Sequence, residues 1–398
     1  MAQDARLARW RADTPGCEHV NHLNNAGAAL MPRPVVDAMT AHLALEARIG
    51  GYEAADAVRG QVDETYGLFA RLLGAEPRNI ALVANATTGF IQALSSFDFA
   101  PGDTILTSRC DYTSNQIQYL ALAKRQGVRI LHADDLPEGG IDPDSVHRLL
   151  RANRVRLVSV SWIPTNSGLV QDVAAVGRVC REAGTPFLID ACQALGQIEI
   201  DVAALHCDYL SATGRKFLRG PRGTGVLYAS DQALARGDHP LFVDMRGAVW
   251  SSPDAYELAP TAKRYEDWEF PYALVLGMAA AARYALTVGV GTARELAWAL
   301  AARARDGLAA MPGVRVLDRG CTRCALVTFD RPGRDAERVV AALSARKINT
   351  VASLKWYNQY DFVEKQVDAA VRMSPHYYNT EGEVDAFLEA VREALAGA

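Results

Sequence analysis

The feature that most limits the fold of this 398-residue chain is the spacing of its apolar runs. In the middle of the sequence, short apolar segments at 104–107, 129–132, 157–161, 187–189, 209–211 and 226–228 alternate with amphipathic stretches such as 173–183. Strands that alternate with helices pair through crossovers, which sets them parallel with helices on the faces of the sheet. The expected fold class is therefore α/β, with a large domain on a mostly parallel sheet. After about residue 285 the pattern changes. A long helical stretch at 293–310 precedes strand-like runs at 314–317 and 325–329, a helix at 336–345 and a last helix from Glu381. This reads as a smaller α+β domain. The expected division is 26–285 for the large domain and 286–398, joined by 1–25, for the small one. No internal repeat or low-complexity segment interrupts the pattern.

Charge excludes some partners. Net charge is −4, from 42 basic and 46 acidic residues, which favours neither nucleic acid nor an anionic membrane. The opening MAQDARLARWRADTPG has acidic residues and no apolar core, so it does not read as a signal peptide. The apolar stretch 272–289 contains Arg283 and is rich in Ala and Gly. A buried helix is expected there rather than a membrane span. Seven cysteines without a secretory signal fit a reduced, cytoplasmic compartment. Cys321 and Cys324 form a lone CxxC with no second ligand pair, so structural thiols are expected and no metal site.

Three segments carry chemistry. The first, SATGRKFLRGPRGTGVLY from Ser211 to Tyr228, ends a strand in small hydroxyl residues, presents Lys216, then turns through glycines. Thr213, Gly214 and Arg215 suit a phosphate, because hydroxyls and backbone N–H groups donate and the guanidinium neutralises. A solvated basic loop is the plain alternative. The second, PFLIDACQALGQ, delivers Asp190 at the end of an apolar strand, with Gln193 one turn on. Carboxylates seldom end such strands without a partner, and ligands bind at that end of α/β sheets. A helix cap would also explain Asp190. The third, LVANATTGFIQAL, passes from a strand through Asn85, Ala86, Thr87 and Thr88 into a helix. Such an N-terminus seats a phosphate, or is simply capped by a threonine.

Read in order, these segments resemble the class V aminotransferase and cysteine desulfurase family of fold-type I pyridoxal 5′-phosphate (PLP) enzymes. The motifs are a Thr-rich turn, D-x-x-Q at Asp190 and Gln193, and Lys216 followed by the Gly-rich run 220–225. HLNNAG near the start and RMSPHYYNTEGEVDAF near the end extend the likeness over residues 22 to 387. The resemblance implies that Lys216 carries the cofactor as a Schiff base and later moves the Cα proton. It implies that Asp190 pairs with the pyridine nitrogen and that Gln193 contacts the ring oxygen. Ala86, Thr87, Thr213 and Arg215 would hold the phosphate, Arg372 the substrate α-carboxylate, and Asn25 would touch the substrate. A homodimer in which both subunits shape each site is also implied.

Departures from the family pattern narrow the reaction. Tyr112 stands where the family often stacks a histidine on the cofactor, within Asp111-Tyr112-Thr113-Ser114-Asn115. Thr165 takes the place of an asparagine, and Arg215 that of a histidine. Tyr265-Glu266-Asp267-Trp268-Glu269-Phe270 lacks the Gly-Thr pair by which the partner subunit reaches the phosphate. The small-domain segment 348–373, where desulfurases carry a mobile nucleophilic cysteine, holds none. Trp356, Tyr357 and Tyr360 lie there instead, as packing under a loop or as a pocket for a bulkier amino-acid substrate. The phrasing INTVAS and SPHYYNT is similar to the branch with isopenicillin N epimerase-like proteins and C–S lyases. The expected activity is β-elimination from an S-substituted cysteine or its sulfoxide, releasing pyruvate, ammonia and a thiol or sulfenate. Transamination and epimerisation are the alternatives, and a silent binding protein that kept the fold is a third.

Overall fold

The structure, a computed structural model, describes residues 2–396. Seven strands form the main sheet: β1 (Ile80–Val83), β2 (Thr104–Thr107), β3 (Arg129–His132), β4 (Val155–Ser161), β5 (Phe187–Asp190), β6 (Tyr209–Thr213) and β7 (Gly225–Ala229). Their order is β1-β7-β6-β5-β4-β2-β3. β2 to β6 are mutually parallel, whereas β7 runs antiparallel to both β6 and β1. The expected parallel sheet is present, with one reversed strand that its composition does not distinguish from the others.

Both faces of this sheet are covered, which is why its strands read as continuous apolar runs rather than alternations. Val158, Val160, Ile189, Leu210, Ala212 and Val226 pack in one cluster. Their neighbours Leu157, Leu188, Tyr209 and Leu227 pack in another, on the opposite face. The helix Val173–Ala183 has the expected bounds: the Asp172 side chain accepts from the Ala175 N–H, and Gly184 ends it at φ 65°. The apolar stretch after residue 271 is the helix Tyr272–Val288, packed against Arg33–Ile49 and Arg59–Leu73. Among the described residues no single helix is long and apolar enough to cross a membrane.

The C-terminal third carries a four-stranded antiparallel sheet. Its strands are β8 (Arg315–Val316), β9 (Val327–Asp330), β10 (Val351–Leu354) and β11 (Ala369–Met373), in the order β8-β9-β11-β10. The helices Val290–Ala309, Ala336–Ala345 and Glu381–Ala396 pack with β9 and β11 around Phe329, Val371 and Phe387. Asn21–His22 pairs in parallel with Ile348–Asn349, so the N-terminal segment reaches this part of the molecule. All seven cysteines are free, and no metal-binding cluster occurs among the described residues.

Arg219 closes the loop that follows Lys216. It is a non-glycine residue in the left-handed region, with φ 65°, and its side chain is fully buried. The guanidinium donates to Leu30 O at 2.9 Å, Tyr377 Oη at 2.6 Å and Thr14 Oγ1 at 2.6 Å. It lies 4.4 Å from the Tyr378 ring centroid. Arg219→Met strips donors from three buried acceptors and is expected to destabilise the protein by about 2–4 kcal/mol. An unchanged denaturant midpoint for the variant would contradict that expectation.

Candidate active site

The C-terminal ends of β1, β4, β5 and β6 meet at a cavity of about 270 Å³. This is the edge of an α/β sheet at which ligands bind. Its wall brings together Ala86, Thr87, Tyr112, Thr165, Asp190, Gln193, Thr213, Arg215 and Lys216. Residues more than a hundred positions apart therefore converge as their motifs suggest. Arg372 and Asn25 are not part of that wall.

An anion seat forms where β1 enters the helix Ala86–Ser95. The cap is Asn85, whose Oδ1 accepts from the Thr88 N–H at 2.9 Å, so no threonine is used for capping. The first amides of the helix, at Ala86 and Thr87, have no carbonyl within the helix to bond. Opposite them Arg215 Nη1 donates to Thr213 Oγ1 at 3.2 Å. β7 passes close behind the turn. A Cβ on Gly225 would lie 2.6 Å from the Asn85 carbonyl carbon and 2.7 Å from the Ala86 nitrogen, so only glycine fits.

Lys216 is buried, and burial lowers its amine to about 8, with Arg215 and Arg372 acting in the same direction and Cys192 and Asp190 opposing. A neutral amine is therefore accessible close to neutral pH. Asp190 ends β5. Its Oδ1 accepts from the Cys192 N–H at 3.0 Å and its Oδ2 from Asn115 Nδ2 at 3.1 Å. The Asp190 side chain is thus not a cap of a following helix: the chain beyond it forms turns. Gln193 donates to Ala26 O at 3.1 Å, while its buried Oε1 has no partner among the described residues.

Arg372 comes from β11. Its Nη1 donates to Thr165 O at 2.7 Å and Oγ1 at 2.9 Å, and its Nη2 to Asn24 Oδ1 at 3.2 Å. Its buried Nε lacks a partner among the described residues. Thr165 therefore serves Arg372 as well as the wall. Asn25 departs from its expected place. Its amide donates to Ser374 O at 2.8 Å and accepts from Tyr378 Oη, so its polar atoms are taken inside the protein. Asn24, the adjacent residue in NNAG, is the one that reaches Arg372. Neither asparagine lines the cavity wall, and a turn begins between them.

The aromatic residues of 356–360 do not pack beneath a loop. Trp356 and Tyr360 are about half exposed, and the Trp356 and Tyr357 rings lie 4.2 Å apart. Thr113 Oγ1 donates to the Tyr357 carbonyl, which fixes this segment beside Tyr112. Ser161, Cys192 and Arg222 also line the cavity. Ser161 looks like any strand serine, and only its place at the end of β4 marks it.

The chain matches the family model described as aminotransferase class-V over residues 21–387. It is 26% identical to a probable cysteine desulfurase of Pyrococcus abyssi, over 97% of this chain and 96% of that protein. It is 29% identical to a probable hercynylcysteine sulfoxide lyase of Mycobacterium tuberculosis, covering 99% and 95%. The crystal structure of the cysteine desulfurase CsdA of Escherichia coli superposes with a TM-score of 0.89 at 25% identity, covering 98% of each chain.

The lowered amine gives a direct test. Reductive trapping of a small aldehyde on Lys216 of the cofactor-free protein should accelerate about tenfold from pH 7 to pH 9 and then level off, as a group near 8 loses its proton. Mass spectrometry of the modified peptide reads the rate. A rise that continues unabated above pH 9 would mean that the amine is an ordinary exposed lysine.

Proposed function

The chain belongs to the aminotransferase class-V family, a family of PLP enzymes, and from that premise we propose that it is a C–S lyase acting on an S-substituted cysteine or its sulfoxide. The products are pyruvate, ammonia and a thiol or sulfenate. The observation that carries the reading is the state of the thiols. After Cys324 the sequence has no cysteine at all. Cys192 and Cys110, the thiols nearest the site, are both pushed up by burial, and the charges of Asp190 and Asp361 push them further. A desulfurase needs a thiolate to take sulfur from its substrate, and neither thiol is set up to supply one. A sulfoxide or acidic thiol leaves as a stabilised anion and needs no acceptor. The lyase of Mycobacterium tuberculosis, at 29% identity, supports the same choice.

The residues present fit the cofactor. The phosphate would sit on the amides of Ala86 and Thr87 with Thr213 and Arg215. Asp190 would face the pyridine nitrogen, and the Gln193 amide, whose Oε1 has no partner among the described residues, would turn its NH₂ from Ala26 O to the ring oxygen. When bound, the cofactor supplies an electron-withdrawing ring that acidifies the Cα–H of an attached amino acid. Lys216, as a neutral amine, would take that proton. Arg372 would hold the substrate carboxylate, because its Nε–H is a buried donor without a partner among the described residues. Tyr112 would cover the ring. The same reading includes a homodimer, which is supported by the exposed apolar residues Phe242, Met245 and Trp250 on one stretch of chain.

Parallel assays of cysteine, cysteine S-conjugates and their sulfoxides should give pyruvate fastest from the last two. Fast alanine formation from cysteine would establish a desulfurase instead. Dependence on an added keto acid would establish a transaminase, and inversion at Cα without pyruvate an epimerase. Arg372→Lys should raise KM by about tenfold or more, since one ammonium cannot reproduce the planar guanidinium fork. An unchanged kcat/KM would move the carboxylate elsewhere.

A further inference from the structure

A second buried carboxylate stands behind Asp190. Asp111 is 2% exposed, and both of its carboxylate oxygens accept hydrogen bonds from named donors. Its Oδ1 accepts from Ser161 Oγ at 2.7 Å, from the Tyr112 N–H at 2.7 Å and from Asn115 Nδ2 at 3.0 Å. Its Oδ2 accepts from Thr107 Oγ1 at 2.9 Å. One of these donors is shared. Asn115 Nδ2 also donates to Asp190 Oδ2 at 3.1 Å, and Ser161 Oγ lies 3.5 Å from the same oxygen. One amide nitrogen with two hydrogens thus bridges two carboxylates.

We propose that Asp111 is a positioning residue that orients Asp190 through the shared donor Asn115, adds a negative charge behind it, and holds the Tyr112 backbone and the Ser161 hydroxyl in the same contact. This rests on the reading of Asp190 as the partner of the cofactor's ring nitrogen. The geometry gives two reasons. An amide between two carboxylates must turn its NH₂ group to both, because its oxygen would face an acceptor on either side. Asp111 therefore fixes which atom Asn115 offers to Asp190. The charge argument is independent. Arg215 and Arg372 are cations close enough to act on Lys216, and their field opposes a proton on the ring nitrogen. A lone carboxylate faces both, whereas two ionised carboxylates in a buried setting tip the field toward the protonated ring. Burial pushes the Asp111 carboxyl up, the Ser161 and Asn115 donors draw it back, and the neighbouring Asp190 charge pushes it up again, so the net direction is upward and the donors are what favour its charge.

The experiment uses the holoenzyme loaded with PLP labelled with ¹⁵N in the ring. In the wild type the ring-nitrogen resonance should sit at the protonated position. Asp111→Asn keeps the shape and removes the charge. Its resonance is expected to move toward the unprotonated position with Asp190 still present and the circular dichroism unchanged. A folded Asp111→Asn protein with an unmoved resonance overturns the proposal. If that variant does not fold, Ser161→Ala serves instead. It removes the hydroxyl that holds the Asp111 charge and should shift the resonance the same way, and an unmoved resonance is again refuting. Asp190→Asn separates the two levels of the argument. If it leaves the resonance unmoved, the ring-nitrogen assignment fails and this inference with it. If it moves the resonance and Asp111→Asn does not, only the role of Asp111 is lost.

Discussion

A guanidinium buried among aromatic rings couples the reactive lysine to the rest of the molecule. Arg219 sits three residues beyond Lys216 in the same tight loop, and its N–H bonds back to the Lys216 carbonyl at 2.9 Å. Its donors reach Thr14 and Leu30 near the N-terminus and Tyr377 in the C-terminal part. Tyr378, under the same cation, donates to Asn25 and receives the Leu30 N–H at 3.2 Å. The lysine loop, the NNAG segment and the SPHYYN turn are thereby parts of one buried network. Displacing any one exposes polar groups that have no water to replace their partners. The left-handed backbone at Arg219 is tolerated because this network over-determines it.

That network explains how Arg372 and Lys216 come to share a site although they belong to different sheets. β11 brings Arg372 to Thr165 and Asn24, while Ser374, two residues on, receives the Asn25 amide. The Arg372 end and the Lys216 end are thus referenced to the same asparagine pair. A relative shift of the small sheet would pull on both ends at once, so the spacing between the proposed carboxylate and amine sites is set by packing rather than by a single contact.

The fold was largely legible because its strand and helix periods are local properties. The helix at 173–183 was readable from its flanking Asp172 and Gly184, and the strand at 104–107 from its apolar run between polar turns. The reversed direction of β7 was not, since a strand buried on both faces has the same composition either way. At the site, Asp190 stood out because it ends an apolar strand with a charge, and Lys216 because Thr213, Gly214, Arg215 and a Gly-rich turn flank it. That the Asn25 amide is engaged with Ser374 and Tyr378 was not legible, because those partners are more than three hundred positions away. Arg219 and Ser161 were silent: one resembles a loop cation and the other a strand serine. Their roles exist only once distant segments meet.

The distribution of charge around the cavity bears on which reaction such a site can favour. Lys216, Arg215 and Arg222 line the cavity and Arg372 lies close enough to act on Lys216, while Asp190 and Asp111 lie together at the ends of β5 and the segment after β2. A buried cation stabilises an anionic group and a buried carboxylate a cationic one, and burial keeps water from screening either field. The same burial raises the thiols of Cys192 and Cys110, because no cation outweighs the loss of solvent at either sulfur. On the proposed reading, that leaves a leaving group to carry its own charge away rather than pass its sulfur to the protein.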